Sequence, residues 1–143
     1  MDLPRLKRIL LVDDEPSIVK TVGKRLEVSG YEVVVVMDGE AALAQAARVR
    51  PDLIVLDLML PKLSGLKVCA TLKQDPCYQH IPIIIFTGKD QDVDEKACRE
   101  SGADAYLPKA RGTEALLNEI QAQLAKRAAP RSSAAADPAS PSA

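Results

Sequence analysis

Five side chains at the ends of apolar runs are equipped for chemistry in this chain. Asp13 and Asp14 follow the run Arg8-Ile-Leu-Leu-Val12, and Asp57 follows Leu53-Ile-Val-Leu56. Thr87 closes a run at 83–86, and Lys109 comes after one at 105–107. A carboxylate directly after a buried strand is held at the rim of a core, partly desolvated. Three of them close together repel one another and push at least one pKa upward. Chains tolerate such a cluster mainly when a cation or a reaction needs it. With no His or Cys in the set, the donors favour a hard, oxygen-seeking ion. Mg²⁺ fits, because it takes one or two carboxylates, keeps waters and shares phosphate oxygens. An Asp carboxylate can then act as a nucleophile and form an aspartyl phosphate. Lys109 would bring positive charge to the phosphoryl oxygens, and Thr87 a hydroxyl donor. Asp13 and Asp14 are adjacent, so at a strand end their side chains diverge. One can ligate the ion while the other acts directly or through water. Asp57 stands alone opposite Thr87 and Lys109, and on those grounds it is assigned the phosphoryl group.

Whether these residues meet depends on the elements that carry them. Five short apolar runs, at 9–12, 33–36, 53–56, 83–86 and 105–107, are continuous rather than alternating, as expected for strands covered on both faces. Helical patterns lie between them. Ile18, Val22 and Leu26 recur every four residues after Pro16, a good first-turn residue, and Gly30 offers a stop. An alanine-rich helix is expected over 39–48, a third from near Ser64 through Leu72, a fourth over 90–101 and a fifth carrying Leu116, Ile120 and Leu124. Strict alternation of strand and helix implies an α/β fold with a parallel sheet and right-handed crossovers. Five units in about 125 residues fit a flavodoxin-like, doubly wound five-stranded parallel sheet in the order 2-1-3-4-5 with five helices. In that order the first and third strands are neighbours at the point where the chain reverses direction. Ligands bind outside the carboxyl ends of strands there, which is where the three acids would converge with Thr87 and Lys109.

Bulk properties narrow the classes. The chain has 143 residues, 47% of them hydrophobic, and a formal net charge of -1. That balance gives no sign of a nucleic-acid or membrane surface, both of which favour basic residues. No apolar run is long enough to span a bilayer, and the N-terminus lacks a signal-peptide stretch. Cys69, Cys77 and Cys98 are odd in number with no C-x-x-C spacing, so free thiols in a reducing cytoplasm are expected. Residues 1–127 read as one domain. Residues 128–143, rich in Ala, Pro and Ser, have no apolar stripe and read as a disordered tail.

Four motifs in order complete the pattern: Leu11-Val-Asp-Asp-Glu-Pro16, Val55-Leu-Asp-Leu-Met-Leu-Pro61 with Gly65, Phe86-Thr-Gly88, and Gly102-Ala-Asp-Ala-Tyr-Leu-Pro-Lys109. Together they resemble the receiver domain of bacterial two-component response regulators, over about residues 7–127. The resemblance implies a phosphorylatable switch rather than a turnover enzyme. A sensor histidine kinase or phosphotransfer protein would donate a phosphoryl group from phosphohistidine to Asp57. Mg²⁺ would be held by Asp14, Asp57 and the backbone carbonyl of Met59, with Asp13 contributing directly or through water. Thr87 would move inward and Tyr106 follow, changing a face that docks a downstream protein. Only Val93 and Ala97 recur clearly in the fourth helical pattern, which implies a loosely held helix. Met59 and Lys89 would flank the path of attacking water. The chain reads as a single-domain, chemotaxis-regulator-like member, a monomer or weak dimer with no direct nucleic-acid contact.

One departure stands out. The family's lysine is usually followed by proline through a cis peptide, but here Ala110 follows Lys109. A non-proline cis bond costs about 3–4 kcal/mol, so a trans Lys109–Ala110 bond is expected.

Plainer readings exist for each residue. Asp13 or Asp14 could serve only as a helix cap, and Tyr106 could be a half-buried strand aromatic. His80 reads as a loop residue at the sheet end away from the acids. Lys7 and Arg8 read as a solvated strand entry. Among rival functions, an FMN module would find its phosphate repelled by Asp13-Asp-Glu15, and a haloacid-dehalogenase-type phosphatase would carry a D-x-D pattern after the first strand, where this chain has Asp13-Asp-Glu15. The remaining alternative is a receiver-like binding module that acts without phosphate.

Overall fold

Strand and helix alternate throughout: β1 (Arg8–Val12), α1 (Pro16–Val28), β2 (Glu32–Val36), α2 (Gly39–Val49), β3 (Leu53–Leu56), α3 (Gly65–Lys73), β4 (Ile83–Thr87), α4 (Glu95–Glu100), β5 (Ala105–Pro108) and α5 (Gly112–Ala128). The computed structural model describes residues 6–88 and 95–128. All pairings in the sheet are parallel, and the order is β2-β1-β3-β4-β5. This is the flavodoxin-like, doubly wound architecture expected from the run pattern. Residues 90–94, with Val93, and 129–143 lie outside the described residues, as does Lys89.

The continuous apolar runs are explained by a core on each face of the sheet. Ile9, Leu11, Leu53, Val55, Ile84 and Phe86 point to one side, against Val22 and Leu26 of α1 and Leu116 and Ile120 of α5. Their chain neighbours Leu10, Val12, Ile54, Leu56 and Ile83 point to the other, against Ala42 and Ala46 of α2 and Val68, Cys69 and Leu72 of α3. Successive strand residues alternate faces, so two-sided cover demands apolar residues at every position. Each such Leu or Ile contributes about 1.5–3 kcal/mol on full burial.

Edge strand β2 corrects the expectation of cover on both faces. Glu32 and Val35 are exposed and only Val36 is buried. It has one neighbour, β1, so half of its surroundings are missing. Arg8 also departs from a solvated strand entry. Its backbone N–H donates to Asp52 at 2.7 Å, its guanidinium donates to the Val49 carbonyl, and its Nε lies 3.3 Å from Glu32. It thus ties the starts of three strands together.

Helix boundaries follow local chemistry. Pro16 opens α1, where its missing N–H costs nothing. Asp38 and Ser64 cap α2 and α3, accepting from the N–H groups of Ala41 and Lys67. None of the three cysteines is in a disulfide. Among the described residues no helix is long and apolar enough to cross a membrane.

At the end of the sheet away from the acids, Lys73 is a hub. Its ammonium lies 2.8 Å from Asp104 and donates to the carbonyls of Gln79 and Ile81 at 3.0 and 2.7 Å. Asp104 also accepts from the Ile83 N–H at 2.8 Å. Breaking a buried pair costs about 3–5 kcal/mol. Asp104 is partly exposed, so we expect Lys73→Met to lower unfolding free energy by about 2 kcal/mol. Urea denaturation measures it; a loss within experimental scatter would show that the loops hold without the clamp.

Candidate phosphoryl-acceptor site

The sheet register brings the acids together. Val12 pairs with Val36 on one side and with Leu56 on the other. The ladder runs one residue further, Asp13 N–H donating to Val36 and Asp57 N–H to Val12, at 3.1 and 3.0 Å. Asp13 and Asp57 therefore leave adjacent strands at the same level. Carboxylate oxygens of Asp13, Asp14 and Asp57 lie within 4.8 Å of one another. Asp13 and Asp57 are buried and Asp14 is exposed, so the adjacent pair does diverge.

Lys109 reaches this cluster from across the sheet. Thr87 pairs with Pro108, so the lysine is the first residue past β5. Its ammonium lies 2.8 Å from Asp13, 3.1 Å from Glu15 and 3.3 Å from Asp57. Among the described residues no peptide bond is cis, so the Lys109–Ala110 bond is trans as expected. A short 3₁₀ turn, Lys109–Arg111, follows. The lysine thus comes within ion-pair distance of Asp57 without proline after it.

Burial sets the electrostatics. Burial pushes the Asp13 carboxyl above its ordinary pKa, opposed by hydrogen bonds from Lys109 and the Glu15 N–H and reinforced by the charge on Asp57. For Lys109, burial works against the charged form. The hydrogen bond to Asp13, the charge on Asp57, and Glu15 together outweigh it and hold the ammonium above its ordinary pKa.

Two buried oxygens at the site have no hydrogen-bond partner among the described residues: Asp57 Oδ1 and Thr87 Oγ1. Buried polar atoms are ordinarily satisfied. An unsatisfied carboxylate oxygen beside two further carboxylates suits a divalent cation, and the all-oxygen donor set suits Mg²⁺. The site opens on a cavity of about 730 Å³ lined by Asp14, Glu15, Pro16, Asp57, Met59, Gly88 and Lys109. Tyr106 is half-buried, paired with Ile85 and packed against Leu58, Ile85 and Cys98. That position suits a strand aromatic as well as a moving one. His80 is exposed in the loop before β4, at the far end of the sheet.

Sequence reasoning passed over one member of the site. Glu15 was read only as part of an acidic run, yet it holds the lysine. Its signal was available: an acid at the residue before a helix, where Ser, Thr, Asp or Asn would cap, implies another use.

Comparison with known proteins agrees with this geometry. Residues 9–121 match the response regulator receiver domain, and the chain belongs to that family. It is therefore a receiver domain of the two-component response regulator type. It is 50% identical over 103 residues to the alkaline phosphatase synthesis transcriptional regulatory protein PhoP of Bacillus subtilis, covering 72% of this chain and 42% of that one. The chain spans about half the length, or less, of such curated relatives. Among solved structures, a CheY-like receiver domain protein from Methanospirillum hungatei superposes with a TM-score of 0.80 at 28% identity, covering 86% of this chain and 97% of that one. The receiver domain of sensor histidine kinase PA1611 from Pseudomonas aeruginosa, with magnesium coordinated in its active-site cleft, gives 0.77 at 30% identity, covering 84% and 98%.

Proposed function

We propose that this protein is a phosphorylatable switch that accepts a phosphoryl group on Asp57 from a histidine kinase or phosphotransfer protein. The observation that carries the reading is Asp57 Oδ1, buried among acids and a lysine at a strand end and without a partner among the described residues, in a residue that lines an open cavity. Asp13, Asp14, Asp57 and the Met59 carbonyl would hold Mg²⁺, whose charge would offset the carboxylate repulsion and that of the incoming phosphoryl oxygens. An Asp57 oxygen forms the new P–O bond as the P–N bond of phosphohistidine breaks, its electron pair returning to the imidazole nitrogen. Lys109 neutralises a phosphoryl oxygen, and the Thr87 hydroxyl, buried and without a partner among the described residues, turns to donate to another. Tyr106, one strand residue before Leu107 on β5, then shifts and alters the surface offered to a downstream protein. The protein turns over no external substrate beyond its own phosphorylation and dephosphorylation. It works in the cytoplasm.

Incubation with a small-molecule phosphodonor and Mg²⁺, followed by intact mass, tests this. One phosphoryl group should be gained, and the gain should vanish with Asp57→Asn or with a chelator. No gain in the wild type under saturating donor would overturn the reading in favour of a phosphate-independent binding module.

A further inference from the structure

The Lys109 ammonium is shared by three carboxylates that differ in setting. The Asp13 and Asp57 side chains are 2% and 6% exposed, while Glu15 is 55% exposed and stands on the solvent side. Glu15 precedes α1 and makes no side-chain capping bond to it. Its backbone N–H donates to Asp13 Oδ1 at 2.9 Å, and its own carboxylate accepts from the Lys109 ammonium at 3.1 Å. The two shorter lysine contacts are to Asp13 and Glu15, and the longest is to Asp57. Meanwhile Asp57 Oδ1 stays bare. The ammonium therefore sits among all three carboxylates, nearest the buried Asp13, with Glu15 as its contact on the solvent side.

We propose that Glu15 is a positioning residue that holds Lys109 back in the resting state and slows phosphoryl acceptance at Asp57. This rests on the reading of Asp57 as phosphoryl acceptor. To serve a phosphoryl oxygen the lysine must exchange a carboxylate contact for it. Asp13 is buried and fixed by the Glu15 N–H, so the exposed Glu15 contact is the one released. Exposed ion pairs of this kind shift an equilibrium by about two- to fivefold.

The test compares phosphorylation rates of the wild type, Glu15→Gln and Glu15→Asp under saturating Mg²⁺, with acetyl phosphate as donor and intact mass as readout. Glu15→Gln keeps the shape and removes the charge; it should accelerate phosphorylation by about two- to fivefold. Glu15→Asp keeps the charge, but it is one methylene short of the lysine and suited to cap α1 instead. It should accelerate in the same direction. A Glu15→Gln rate equal to or below the wild type would overturn the inference, while phosphorylation of the wild type upholds the function itself. Acceleration by Gln with Asp left at the wild-type rate would also overturn it, because a general field and not the contact would then be responsible. Failure of the wild type to take any phosphoryl group would overturn the function and this inference together.

Discussion

Lys109→Met is expected to destabilise the metal-free protein by about 3 kcal/mol and to slow phosphoryl acceptance by about 100-fold. The lysine side chain is 11% exposed and is the cation placed against two buried carboxylates, Asp13 and Asp57. Methionine keeps the length and apolar stem but leaves those charges uncompensated. Removing one partner of a buried pair costs more than the pair contributed, since the remaining charge stays desolvated. The sign with pH is fixed by the direction of each shift. Lys109 sits above its ordinary pKa of 10.5, so its contribution is fully present below that value and fades as pH rises through the higher folded-state value. Asp13 is raised above 3.8 by burial, so its charge weakens folding at neutral pH and the cost is relieved on acidification. Wild type and variant should therefore differ by a constant amount through the neutral range, read by urea denaturation with chelator present. Added Mg²⁺ should rescue the variant more than the wild type, because the ion no longer competes with an ammonium for the same oxygens. Equal stability of the two proteins in chelator would show that the acids are compensated by something other than Lys109.

That compensation was legible in the sequence to an uneven degree. Strands covered on both faces must be apolar at every position, so runs such as Leu53–Leu56 mark both a strand and its last residue. The residue after each run is then placed by the ladder, which is why Asp13 and Asp57 could be brought together once the sheet order was inferred, with Lys109 one residue further along past Pro108. Edge strand β2 reads the same way, Glu-Val-Val-Val-Val, yet its outer side lacks a neighbour. A run of valines reports strand geometry and leaves the strand's place in the sheet open. Contacts made by long side chains were not legible. Lys73 and Asp104 are 31 positions apart, and no periodicity links a helix end to a loop on the far side of two elements. The same holds for Arg8, whose guanidinium finds the end of α2. Such pairings depend on where loops come to rest, which hydrophobic pattern does not encode.

Gly65→Ala is expected to destabilise the protein by about 3 kcal/mol, with Tm lower by roughly 10 °C, although alanine is the better helix former. Intrinsic propensity alone predicts the opposite sign, a gain of up to about 1 kcal/mol. The structure decides between them. Gly65 is the first residue of α3, and its N–H donates to the Leu58 carbonyl at 3.0 Å. A Cβ there would overlap the Asp57 carbonyl oxygen and stand 2.8 Å from the Leu58 Cα and 3.0 Å from the Asp57 carbonyl carbon. All three neighbours are backbone, so no rotamer change relieves the overlap. Either α3 moves outward and opens the core around Val68 and Cys69, or the chain after β3 moves. The second path displaces Asp57 itself, which is held by its N–H bond to Val12 and stands in ion-pair contact with Lys109. Phosphoryl acceptance should then fall in the folded fraction as well as through unfolding, because nucleophile position is worth orders of magnitude in rate. Thermal melts followed by rate measurements well below Tm separate the two effects. A lowered Tm with an unchanged rate would show that the helix yields and the strand end does not, while an unchanged Tm would show that the close approach of α3 to Asp57 is not tight. The glycine in this motif is thus a condition on how near a helix can come to the reacting residue, set by the backbone carbonyl oxygen of Asp57 itself.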